Sequence, residues 1–181
     1  MGSRIIRDPR SPEFGRLFTE VRQSWFRLET LQRYDAAYER DDLAAFLRGE
    51  SITTAPGPWQ EMIRRHVAAD RQLVRVHVIE EPLSDYIRYE LAAYVPNVEA
   101  GEDVRLIPVR AGAWPANVPR HDYWLFDDER LWLMDYSPAG ALQAVRLVDD
   151  PLAVEEHRRW RDTAIASSIR LADYEAAQQP A

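Results

Sequence analysis

The run Leu73-Val74-Arg75-Val76-His77-Val78-Ile79 narrows the folds open to this chain more than any other segment. Valines alternate with a guanidinium and an imidazole, which is the period of a strand. Val74, Val76 and Val78 share one face, and Arg75 and His77 share the other. A strand with an apolar face needs a layer packed on it, so the flanking segments decide the architecture. Pro58 opens a helix predicted over about 58–70, with Trp59, Met62, Ile63 and Val67 on its apolar side. After the strand, Pro82 is a stop, and Ser84 or Asp85 caps a helix running to about Tyr94, before Pro96. Asn97 to Gly101 reads as a turn, and Asp103 to Val109 as a second strand. A strand, a helix and a strand in that order predict a right-handed crossover joining parallel strands.

The next stretch changes character. Residues 110–120, with Gly112, Pro115 and Pro119, read as a loop. Strands are then predicted at 121–126, 130–136 and 141–148, joined by turns at Asp127-Asp128-Glu129 and Ser137-Pro138-Ala139-Gly140. Such a meander pairs antiparallel, so the expected fold class is α/β (α+β), a mixed sheet flanked by helices. Pro151 opens a last helix, about 151–175. Residues 1–12 read as a loose end, 12–24 as a helix, 25–34 as a short edge strand, and 38–48 as a helix closed by Gly49. Ser51 to Gly57 reads as a loop. The domain expectation is an N-terminal helical extension over 1–57, a mixed α/β domain over 58–175 and a disordered tail over 176–181.

Composition removes several chemistries. The chain has no Cys, and its 23 basic residues are all Arg. Disulfides, thiolate nucleophiles, Schiff-base lysines and P-loop lysines are therefore absent. No secretion signal and no long apolar run is found, so a cytoplasmic protein without membrane attachment is expected. The net charge of −7 argues against direct nucleic-acid binding. G-x-G-x-x-G, G-x-x-x-x-G-K and G-x-S-x-G patterns are absent, and no cofactor is expected.

The candidate site residues follow from shared faces. Arg75 and His77 project together, and Arg105 and Arg88 are expected to approach the same side, forming a pocket for a small anion or carboxylate. The alternative is a buried polar network with Glu90, Asp85 or Asp103 as partners. Asp85, Tyr86, Arg88 and Glu90 fall within two helical turns, spaced to line a polar pocket or to form an ordinary surface ion pair and a core contact. His121 joins His77 if their strands are neighbours. Asp122 points the opposite way from His121, and Trp124 belongs to the core or to a partner surface. No metal is expected, since no H-E-x-x-H or H-x-H spacing occurs. Asp127 and Asp128 read as turn residues, His66 and His157 carry no assigned chemistry, and Trp114 is a loop anchor or a lid.

The segments Arg27-Leu28-Glu29 with Tyr34, Arg75 to Val78, Pro82 to Leu91, Asn97 to Pro108 and Asp122 to Asp128 together resemble an actinobacterial family of uncharacterised domains. That resemblance implies a regulatory or interaction role, because genes of the family stand beside helix-turn-helix regulators of a toxin–antitoxin-like kind. More distantly, the order of elements resembles one half of the phospholipase D fold. The His-x-Lys hairpin of that fold would fall on His121-Asp122-Tyr123, with Tyr123 at the lysine position, so the resemblance implies a catalytically silent half-domain. The functional expectation is a non-catalytic regulatory or interaction protein partnered with a helix-turn-helix regulator, homo-oligomerisation being open. The alternative is a small-molecule-binding protein or enzyme, such as a phosphodiester hydrolase, using the Arg/His pocket.

Overall fold

In the computed structural model, which describes residues 4–50, 52 and 57–178, the valine-rich run is strand β3. The strands are β1 (Ile5–Ile6), β2 (Ser24–Glu29), β3 (Gln72–Glu81), β4 (Asp103–Arg110), β5 (Tyr123–Phe126), β6 (Arg130–Tyr136), β7 (Leu142–Val148) and β8 (Ile169–Arg170). They form one eight-stranded sheet in the order β1-β7-β6-β5-β2-β3-β4-β8. β2, β3 and β4 are parallel, and every other pairing is antiparallel. The helices are α1 (Pro12–Thr19), α2 (Arg40–Leu47), α3 (Pro58–Val67), α4 (Asp85–Ala100), α5 (Pro151–Ala166) and α6 (Leu171–Gln178), with a 3-10 turn at Ala37–Glu39 before α2. The expected α+β class with a mixed, helix-flanked sheet is therefore the fold.

Alternation divides the two faces of the sheet. Val76 and Val78 pack with Phe26, Leu28, Ile107, Leu125 and Leu131 in a layer closed by Val154 and Ala164 of α5. The opposite face has two parts. At one end Phe18 of α1 and Trp59 and Ile63 of α3 cover Trp25, Trp124 and Phe126. At the other end α4 lies over Ile79, Val104 and Leu106, joined by Leu171 and Tyr174 of α6.

Several local expectations are corrected. The segment read as a short edge strand at 25–34 is β2, an interior strand between β3 and β5. Its charges mislead, because Arg27 and Glu29 are buried with the apolar residues around them. Since β2 stands in the sheet interior, a boundary at residue 57 does not coincide with any break in the sheet. Helix α4 does not stop before Pro96 but runs to Ala100, so the predicted turn at 97–101 is helical except for Gly101, which caps it at φ +108°. An internal proline costs about 3 kcal/mol, and here burial of Pro96, Asn97 and Ala100 offsets it. The single last helix is instead α5, β8 and α6, broken at Ser167-Ser168. There Ser168 Oγ donates to the Ile165 carbonyl, and Ile169 pairs with Leu106. The tail is helical through Gln178, with 179–181 outside the described residues, as is most of the loop called at 51–57.

Turn chemistry matches expectation. Asp127 and Asp128 both have positive φ, at 54° and 59°. Gly140 has φ +88°, and a Cβ there would lie 2.6 Å from the Arg33 carbonyl oxygen.

Candidate functional site

The parallel register of β2 and β3 sets Arg27 beside Arg75 and Glu29 beside His77, all on the face toward α4. β5 brings Trp124 alongside Arg27. Its ring lies beneath both guanidiniums, 5.4 Å from Arg27 Cζ and 5.8 Å from Arg75 Cζ. Trp124 thus separates the aromatic end of this face from a charged end.

The charged end is a buried network in which, among the described residues, only Arg75 Nε and Glu102 Oε2 lack a hydrogen-bond partner. Arg75 Nη1 donates to Glu29 Oε1 at 2.7 Å, and its Nη2 donates to Glu102 Oε1 at 3.3 Å. Arg27 Nη2 donates to Asp122 Oδ2 at 2.6 Å and to the Tyr136 hydroxyl oxygen at 2.9 Å. Asp122 also accepts from Thr30 N at 2.8 Å, Thr30 Oγ1 at 2.6 Å and the Tyr34 hydroxyl at 2.7 Å. His77 Nε2 donates to the Leu31 carbonyl at 2.8 Å, which fixes its proton on that nitrogen. From α4, the Tyr94 hydroxyl lies 2.7 Å from Glu29 Oε2, 2.8 Å from Glu90 Oε2 and 2.9 Å from His77 Nδ1. Tyr86 donates to Glu39 Oε2 at 2.9 Å, and its hydroxyl oxygen lies 3.3 Å from Glu90 Oε1.

These contacts pull the carboxyls apart in acidity. Burial works against ionised Glu29, but Arg75 and then Arg27 override it and hold its carboxyl well below the usual range. Burial, followed by the charges of Glu29 and Glu39, pushes the Glu90 carboxyl up. Burial also lowers His77 and raises the Tyr94 hydroxyl, which Glu29 and Glu90 raise further.

Of the residues singled out in the sequence, Arg75, His77, Tyr86, Glu90 and Trp124 come together here. The others stand elsewhere. Arg105 is paired with Val76 in the register and so lies on the opposite face, where its Nε donates to Ser168 Oγ. Asp85 and Arg88 form an exposed i,i+3 ion pair. His121 is not next to His77, since β5 neighbours β2 and β6; its Nε2 lies 3.0 Å from His157 Nε2. Trp114 anchors its loop, donating to the Val118 carbonyl at 2.7 Å with Arg120 over its ring. His66 is buried, bonded to the Phe18 carbonyl and to Arg71. Sequence reasoning missed Arg27, Glu29, Tyr94, Glu102 and Asp122. The signal for two of them was present: Trp25, Arg27 and Glu29 are spaced two apart, as Arg75 and His77 are.

Arg75 and His77 are buried, 7% and 0% exposed. A small cavity of about 180 Å³ is lined by Arg33, Tyr34, Asp35, Glu39, Arg40 and Tyr86 among others. Tyr34 and Tyr86 connect its wall to Asp122 and Glu90. A family model described as "Domain of unknown function (DUF6879)" matches residues 12–176. The chain belongs to this family. The DUF6879 match begins at α1 and ends within α6, so it takes in β2 together with the rest of the sheet interior. No curated protein matches the sequence. Among the described residues of this DUF6879 member, no helix is long and apolar enough to cross a membrane.

Proposed function

We propose that the protein is a non-catalytic interaction protein of the cytoplasm, acting as partner to a helix-turn-helix regulator in a toxin–antitoxin-like pair. One observation supports the non-catalytic half of this reading: Arg75 and His77 are buried, with both terminal nitrogens of the guanidinium and both ring nitrogens of the imidazole taken up by protein partners. Buried, mutually satisfied charges act on the fold and not on a substrate. The regulator as partner rests on the resemblance of the Arg27-Leu28-Glu29, Arg75–Val78 and Pro82–Leu91 segments to the actinobacterial family. The test is co-expression with a helix-turn-helix regulator of the kind encoded beside genes of that family, followed by size-exclusion chromatography. Co-elution at a fixed ratio is expected, and independent elution at micromolar concentrations of both would overturn the reading.

A second reading, binding of a small anion, draws on the cavity at Arg33, Arg40, Tyr34 and Tyr86. At about 180 Å³ it is smaller than the ~300–1,000 Å³ of drug-sized sites, so its ligand would be small. The phosphodiester hydrolase version has less support, since His121 is engaged with His157 and no Lys exists to bind phosphate.

A further inference from the structure

Three side chains far apart in sequence each turn one ligand atom toward the Tyr94 hydroxyl. Glu29 Oε2, His77 Nδ1 and Glu90 Oε2 all lie within 4.8 Å of one another. Each residue's other polar atom is already committed. Glu29 Oε1 accepts from Arg75, Glu90 Oε1 lies 3.3 Å from the Tyr86 hydroxyl, and His77 Nε2 donates to the Leu31 carbonyl. The last contact is the outer-shell bond typical of a metal-ligating histidine, fixing the tautomer and aiming the opposite nitrogen inward.

Two further observations point to a cation at that point. The Tyr94 hydroxyl, the group on which the three atoms converge, has one hydrogen for three neighbours at 2.7, 2.8 and 2.9 Å. The charge balance is also short. Arg27 and Arg75 are buried with Glu29, Glu90, Glu102 and Asp122, so two guanidiniums face four carboxyl groups, and ionising all four, Glu90 included, would leave two negative charges unmatched. A divalent ion closes that gap, and a closed, oxygen- and nitrogen-lined shell is suited to holding one.

We propose that Glu29, His77 and Glu90, with Tyr94 as the fourth donor, form a structural site for a divalent ion of the zinc class. Four donors without an open position suit a four-coordinate ion and not the six or more oxygen ligands of magnesium or calcium. The donor atoms sit 2.7–2.9 Å from the Tyr94 oxygen, and His77 Nδ1 sits 4.0 Å from Glu90 Oε2. With ligand atoms spread over as much as 4.8 Å, the side chains must close toward the roughly 3.3 Å edge of a tetrahedron with ~2.0 Å bonds as the ion binds. The ion would join β2, β3 and α4 from inside. No sequence motif announces the site, because the ligands stand at positions 29, 77 and 90. The inference does not depend on the identity of any protein partner.

The test uses the full chain, stripped with chelator, then dialysed against micromolar Zn²⁺ and analysed for bound metal. One ion per chain is expected, with a higher melting temperature, and Co²⁺ in its place should give the intense visible bands of a four-coordinate centre. Glu90→Gln keeps hydrogen-bonding capacity toward Tyr86 and Tyr94 but should lose the ion. His121→Asn removes one half of the competing histidine pair and should retain it. No stoichiometric ion in the wild-type chain would overturn the proposal, as would an ion kept by Glu90→Gln. Where Glu90→Gln does not fold, His121→Asn decides: retention supports the site, and loss assigns the ion to the His121–His157 pair instead.

Discussion

On one side of β3, Val76 and Val78 pack among Leu28, Ile107 and Leu125 beneath α5. On the other, Arg75 and His77 are held by Glu29, Glu102, Tyr94 and the Leu31 carbonyl beneath α4. The two layers share the same strands and are equally closed to water, yet they fail differently when altered. An apolar layer loses contact area and cavity energy in proportion to the atoms removed. A charged layer gains little from any one pair, because desolvation nearly cancels the attraction, but it loses heavily when one partner is left alone. The first layer therefore loses stability in proportion to the atoms removed, whereas the second is most sensitive to the loss of a whole charged partner.

The sharpest break should come from the charged side. Arg27→Met leaves Asp122 without a guanidinium and Glu29 with Arg75 alone, and a loss of about 3–5 kcal/mol in urea unfolding is expected. Adding Asp122→Leu should return part of that loss; a double variant as unstable as the sum of the singles would remove the distinction between the layers. Leu28→Ala, on the apolar side of the same strand, should cost about 3 kcal/mol, with no rescue by a second substitution.

A smaller effect is expected at Asp127, which lies outside both layers. Its Oδ1 accepts from the backbone N–H groups of Arg22, Gln23 and Ser24 at 2.9, 2.7 and 3.2 Å, and Oδ2 accepts from Arg130 at 2.8 Å. Burial would raise this carboxyl, but those donors hold it at about 2. Asp127→Ala should cost about 2 kcal/mol and Asp127→Asn about 1, since Asn keeps an acceptor and tolerates positive φ. Because the folded value is depressed, this contribution is full above the ordinary value of 3.8 and lost as pH falls toward 2.

The smallest effect sharpens the comparison by pH alone. Burial lowers His66, His77, His121 and His157 below their ordinary 6.5. The unfolded chain then takes up protons at higher pH than the folded one, so stability is full above about 6.5 and declines below it. Urea midpoints between pH 7.5 and 5.5 check this, and a flat profile would contradict it.

How far the sequence could be read follows the same division. The apolar layer was legible from Val74, Val76 and Val78, because period-two alternation is a local signal. So was the common face of Arg75 and His77. Charged residues inside β2 were not legible, since Arg27 and Glu29 look like solvent-facing positions until Asp122 and Arg75 stand beside them. Arg105 was assigned to the wrong face because the parallel register, which sets it opposite Val76, is not written in either strand alone. Pro96 gave a false stop for a similar reason: packing of α4 against the sheet outweighs a local penalty.

Placing β2 between β3 and β5 has a consequence for how the chain is made. Arg27 leaves the ribosome 95 residues ahead of Asp122, its counterion. Until that later residue emerges, the nascent N-terminal half has a strand whose charges must stay hydrated, so the centre of the sheet closes only once most of the polypeptide has been synthesised. Nascent chains stalled before residue 122 should therefore be prime substrates for chaperones and proteases, while those extended past the β6 hairpin escape them.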